Sequence, residues 1–105
     1  MNTHIYFQRS DDDGESWKDF YDCRAYINGV NGSEFFVANA GFDASLAVNI
    51  SCRWHPKLMR VIPTTYRAVA DGVIYDLLSP ADDKENAHKE VIFRARRIFS
   101  DDVKE

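Results

Sequence analysis

The sequence predicts an all-β fold: a small six-stranded, mostly antiparallel β-barrel with a long loop between its second and third strands, with room there for a short helix. Three observations predict it. Apolar residues recur with period two along most of the chain, as strands with one buried face require. The alternating runs are short and separated by Asp, Asn, Gly and Pro clusters. Sustained helical periodicity is nearly absent, which directs the strands to a barrel or sandwich. At 105 residues the chain has material for one core, so residues 1–105 are expected to form a single domain with a polar tail from about 99.

The opening strand runs from His4 to Arg9, with Ile5 and Phe7 alternating against His4 and Gln8. Asp11-Asp12-Asp13-Gly14 supplies the turn that ends it. This turn lacks the glycine and the bidentate glutamate that an EF-hand loop places at its sixth and twelfth positions, so it is read as a solvated turn. From Ser16 the apolar positions Trp17, Tyr21, Cys23, Ala25 and Ile27 form the buried face of a long second strand, opposite Lys18, Asp22, Arg24 and Asn28. Asp19 and Phe20 break the alternation, which predicts a bulge or bend there. In the third strand Leu46, Val48, Ile50, Cys52 and Trp54 share one face, and His55-Pro56-Lys57 stops it. Tyr66–Ala70 and Val73–Leu78 flank Asp71-Gly72, a strong signal for a two-residue hairpin. Ser79-Pro80-Ala81-Asp82-Asp83 reads as a further turn before a last strand from about Lys89 to Ile98. Ile5, Phe7, Tyr21, Cys23, Ile50, Cys52, Val73, Tyr75, Val91 and Phe93 are expected to point inward, because a one-residue slip would expose whole apolar faces.

The segment between the second and third strands departs from this plan. Asn31-Gly32-Ser33-Glu34 resembles a helix N-cap, and the following residues can make a turn or two of helix stopped at Gly41. Two readings stay open for its aromatics. Phe35, Phe36 and Phe42 either cap the barrel mouth or form an arm that a neighbouring subunit buries.

Composition excludes several classes. The apolar runs are at most four residues, Phe35 to Ala38 being one, so no membrane span is expected, and Met1-Asn2-Thr3-His4 opens no signal peptide. A soluble chain made in the cytosol is the expectation. Cys23 and Cys52 are read as reduced, buried apolar residues rather than a bridge, and three scattered histidines give no metal-ligand spacing. Neither a cofactor nor a metal is expected, and no catalytic motif is present, so an enzyme is not expected. The net charge of −4 disfavours a general grip on nucleic acid. Arg53-Trp54-His55 and Tyr66-Arg67 nevertheless leave an OB-like nucleic-acid-binding barrel as an alternative. Charge is segregated: Ser10 to Asp22 holds six acids and one Lys, whereas Ala44 to Ala70 holds Arg53, Lys57, Arg60 and Arg67 and no acid.

The order of these features resembles the head-tail joining family of tailed bacteriophages, the head closure or stopper proteins. The resemblance runs through the strand His4 to Ser10, the turn Asp12 to Trp17 and the second strand ending in Ala25-Tyr26-Ile27. It continues through Asn31-Gly32-Ser33-Glu34-Phe35-Phe36, Arg53-Trp54-His55-Pro56, the hairpin Ala70 to Leu77 and the charged closing strand Val91 to Arg97. The stretch from Lys57 to Thr65 is longer than the family's usual connection.

The resemblance implies a virion protein: a homo-oligomeric ring beneath the portal-adaptor complex and above the tail proteins, which retains packaged DNA in its channel without reading sequence. Within it, Glu34, Phe35, Phe36 and Phe42 become the candidate arm toward a neighbour or the adaptor. Asp11, Asp12 and Asp13 with Arg53, Lys57, Arg60 and Arg67 become candidate complementary side faces. An acidic balance is compatible with a channel through which DNA slides. Another neck protein, such as a tail completion protein, is the alternative within the class, and no membrane is implied. Assembly takes place in the host cytoplasm on this reading.

Overall fold

The structure, a computed structural model, describes residues 3–29 and 47–98. Among these described residues seven strands run in chain order: β1 (Thr3–Arg9), β2 (Lys18–Gly29), β3 (Ala47–Arg53), β4 (Tyr66–Ala70), β5 (Val73–Leu77), β6 (Asp82–Asp83) and β7 (Glu90–Ile98). All pairings are antiparallel. The sheet runs β3-β2-β1-β4-β5-β7 and closes on itself through β3–β7, which makes a six-stranded barrel. The expected turn at Ser79–Asp83 contains a seventh strand: Asp82 and Asp83 pair with Ile92 and Val91, beside the point where β5 has finished pairing with Ala95–Ile98. Two acidic residues after a proline show no alternation, so the pattern gave no sign of this strand.

Strand phases follow the sequence. Ile5, Phe7, Ile50, Cys52, Tyr75, Val91 and Phe93 are buried, while Tyr21, Cys23 and Val73 are partly buried and pack against the same core. Phe7 pairs with Tyr21 and Gln8 with Asp19, which leaves Phe20 as the unpaired residue of a bulge in β2. Trp17 precedes β2 instead of lying in it. Asp71 and Gly72 have φ of 51° and 77° between the paired Ala70 and Val73, a two-residue hairpin with both central residues left-handed.

The core spans the barrel. Phe7 on β1 and Phe93 on β7, from opposite walls, are both fully buried with ring centroids 5.1 Å apart and planes inclined by 44°. Ala25, Ala68, Ala70 and Ala95 contribute small inward side chains that leave room for these rings. One barrel end is closed by a short 3₁₀ turn, Pro56–Arg60, which begins within the residues read as the stop of the third strand. Its Leu58 and the following Val61 are fully buried. His55 Nδ1 accepts from the Lys57 amide at 3.1 Å and sets the start of the turn.

Antiparallel topology gathers three connections at this same end: residues 10–17, 54–65 and 78–89. The Asp71-Gly72 hairpin and the strand ends Gly29 and Ala47 mark the other end.

Candidate functional site

The connection end assembles the charged residues that the sequence marks. The acidic turn is wound around Ser10, which is buried and whose amide donates to Thr65 O at 2.9 Å. Ser10 Oγ accepts from the Gly14 amide at 2.7 Å and donates to Asp12 Oδ1 at 2.8 Å. Asp12 also accepts from Ser16 Oγ at 2.6 Å and from the Ser16 amide at 2.9 Å. These donors, Ser16 Oγ foremost, hold the Asp12 carboxyl down at about 2. Asp13 (φ 59°) and Gly14 (φ 88°) complete the reversal. Asp11 pairs with Arg9, the last residue of β1, at 3.0 Å.

The basic residues reach this end from β3, the 3₁₀ turn and β4. Arg53 ends β3 and is exposed, as are Lys57 and Arg60. Lys57 Nζ lies 5.7 Å from the Phe20 ring, itself edge-on to Tyr66. Arg67 is committed internally: its guanidinium lies 4.4 Å over the Trp17 ring and its Nε donates to Gln8 Oε1 at 2.8 Å. Partial burial pushes its pKa down from the ordinary arginine value. The Ser10–Thr65 bond thus joins the acidic turn to the segment carrying the bases, and the two charge blocks occupy one end of the barrel.

A second feature of this end escaped the sequence. The β2–β3 ladder stops at Ala25–Cys52, while β3 continues alongside β7 and the Trp54 amide donates to Lys89 O at 3.0 Å. The barrel wall therefore splits between β2 and the residues after β3. An open depression of about 670 Å³ lies in the split, lined by Tyr21, Cys23, Arg24, Tyr26, Arg53, Trp54 and His55. Tyr21 stacks on His55 across it, centroids 4.6 Å apart. Arg53-Trp54-His55 thus does form a wall of aromatic and basic residues, whereas Tyr66 is buried in the core. Only the break in β2 at Phe20 hinted that Tyr21 and Cys23 would be partly uncovered.

Beyond Trp54 lies His88, its ring parallel to the indole with centroids 4.5 Å apart. The nearly buried Asp83 carboxylate fixes it, receiving the His88 amide at 3.0 Å and contacting Nδ1 at 2.5 Å. Glu85, Asn86 and His88 all have positive φ. Cys23 and Cys52 are both free thiols. The contact with Cys23, reinforced by burial, pushes the Cys52 thiol far up, and the same contact lowers Cys23. Among the described residues no group of three His, Cys, Asp or Glu is placed to hold a metal ion.

The family model described as phage head completion protein matches residues 7–98, which includes every strand of the barrel from the middle of β1 onward. The chain belongs to the phage head completion proteins. No curated protein matches it. As a head completion protein it is a structural component of the bacteriophage virion that associates with other head or tail proteins. The resemblance read from the residue order and the barrel read from the alternation therefore meet in one family and one fold. The candidate arm of this head completion protein, Glu34, Phe35, Phe36 and Phe42, lies outside the described residues, as does Leu46. No helix of the described residues is long and apolar enough to cross a membrane.

Proposed function

We propose that the chain is a head closure subunit: copies assemble as a ring on the portal-adaptor complex, retain the packaged DNA and present the surface on which the tail docks. The head completion family match, spanning residues 7–98, carries this reading. A barrel suits the task because its closure through β3–β7 leaves little sheet edge to cover, and three connections at one end offer a surface that can vary without disturbing the core. Asp11, Asp12 and Asp13 with Arg53, Lys57 and Arg60 set the register between neighbours on this reading. Arg67, engaged with Trp17 and Gln8, acts through the fold of that end. The role is structural and not enzymatic.

The isolated chain is proposed to be monomeric, with the adaptor as the template for the ring, because exposed ion pairs contribute only about 0 to 1 kcal/mol each. Phe35 and Phe36 are proposed as arm residues buried by a neighbour or the adaptor. The test is infection with a phage whose chain carries Ser at both positions, alongside one lacking the chain. Filled heads that leak DNA and carry no tails are expected in both, with the melting temperature of the isolated double variant unchanged. Normal yields from the double variant, or its unfolding as a monomer, would overturn the arm. Tailed, DNA-retaining particles without the chain would overturn the closure role itself.

A further inference from the structure

We propose that the split between β2 and β3 is a docking groove for an extended, acidic segment of another protein, which adds to β2 as a strand. Its use does not depend on ring formation. The ladder pattern carries the inference. β2 pairs with β1 from Lys18 to Ala25, but with β3 only from Ala25 to Gly29. Among the described residues, Lys18 to Arg24 therefore has a strand neighbour on one side alone. An unpaired edge offers alternating N–H and C=O groups, the template that extended peptides complete. At about 3.3 Å per residue these seven positions span about 20 Å, room for a strand of four to six residues.

The surroundings select the occupant. Arg24 and Arg53 line the depression beside this edge, and no acid does. Lys57 stands over Phe20 at its lower margin, and Lys89 lines a neighbouring depression on the far side of Trp54. Glu90, the one acid of that second depression, faces Lys84 at 3.9 Å. The acids of β2 itself do not line the depression and keep their charge on the side toward β1: Asp22 meets His4 Nε2 at 2.7 Å, and Asp19 accepts from Gln8 Nε2 at 3.0 Å. The groove thus presents Arg53 and Lys57 beside the edge, with the partly uncovered Tyr21 and Cys23 forming a floor for an apolar side chain.

Two other occupants fit less well. A run of stacked nucleobases needs several free ring faces in succession, but Trp54 is stacked on His88 and Tyr21 on His55, which leaves Tyr26 as the exposed ring of the lining without a stacked neighbour among the described residues. A second copy offers the edge Lys18 to Arg24, which carries as many bases as acids and so is no acidic strand. The acidic stretch Asp11 to Glu15 is wound into a turn by Ser10 and Ser16, so it offers no extended strand.

The test is a nuclear magnetic resonance titration of the ¹⁵N-labelled chain with three probes: a capped seven-residue peptide alternating Glu and Val, its Lys and Val counterpart, and oligothymidine. The Glu peptide is expected to shift the amides of Lys18 to Arg24 and Arg53 to His55, to protect the β2 edge amides from exchange, and to weaken as salt is raised. R53E and K57E, each with an unchanged melting temperature, should weaken it at least tenfold together and measurably apart. K57E lies on the exposed 3₁₀ turn and keeps the test valid if R53E fails to fold. Equal binding of the Lys peptide, oligothymidine shifting the same amides, self-association that protects the edge, or no shift at millimolar peptide would each overturn the proposal.

Discussion

Truncating Phe93 to alanine tests whether the barrel is held from the inside by rings that meet across it. Phe93 is fully buried and reaches Phe7 on the opposite wall, centroids 5.1 Å apart. A ring that buries about 200 Å² contributes about 5 kcal/mol at about 25 cal/mol per Å². The Cβ that alanine keeps brings the expected loss to about 4 kcal/mol, within the range of about 3 to 5 found for such truncations. Native domains hold only about 5 to 15 kcal/mol, so this one change removes about a quarter or more of the total. The melting temperature should fall by about 20 °C. Phe7→Ala should cost a similar amount, but the double variant should lose about 1 kcal/mol less than the two losses added, because the second truncation no longer breaks a ring pair. Urea denaturation followed by tryptophan fluorescence, with Phe93→Leu as the conservative control, measures all four corners of the cycle. A loss below about 1 kcal/mol for Phe93→Ala, or strict additivity of the pair, would refute the account of a barrel packed through its centre.

Three further outcomes follow from local geometry. Gly72→Ala should cost about 1 kcal/mol through its left-handed backbone alone, since nothing lies within 4 Å of the added Cβ; a thermal melt showing a loss above about 3 kcal/mol would point to a clash instead. Asp12 is lowered from 3.8 to about 2 in the folded chain, so the stability it contributes is present above 3.8 and disappears as pH falls toward 2. Asp12→Asn should flatten the stability profile across that window, and parallel profiles for the two proteins would count against the Ser10 and Ser16 network. Of the two thiols, Cys23 should react with a disulfide reagent in the folded protein while buried Cys52 reacts only on unfolding. Cys23→Ser should therefore remove the fast phase, and a fast phase that survives it would contradict the burial order.

The six barrel strands were legible because each has one solvated face, which writes period two into the sequence. The bulge showed as the misplaced Phe20, and the hairpin as Asp71-Gly72. Pairing partners were not legible, since nothing local tells Ala47–Arg53 to lie beside residues 90–96. The end plug was hidden for a related reason: Leu58 and Val61 are buried by the strands around them, and a single 3₁₀ turn is too short to show a period. At the candidate site, the acidic and basic blocks were visible as composition. Their meeting at one barrel end follows from the alternating direction of the strands, which no stretch of charge encodes. The groove was the least visible feature, because Tyr21 and Cys23 have the phase of core residues and are uncovered only where β3 turns away to follow β7.

Every lasting closure of this barrel waits for its final strand. β7 zips to β3 along one edge and to both β5 and β6 along the other, so none of the three has its full set of partners until residues 90–98 arrive. On the ribosome the earlier strands can form hairpins, but the cylinder cannot be sealed until translation has passed Ile98 and that strand has cleared the exit tunnel. During that interval β3 and β5 stand with bare edges, the condition that invites pairing with another nascent chain. The closing contacts join residues some forty positions apart, which places folding among the slow, non-local topologies of milliseconds to seconds. A chain cut before Glu90 would accordingly not yield a smaller barrel but an open, adhesive sheet.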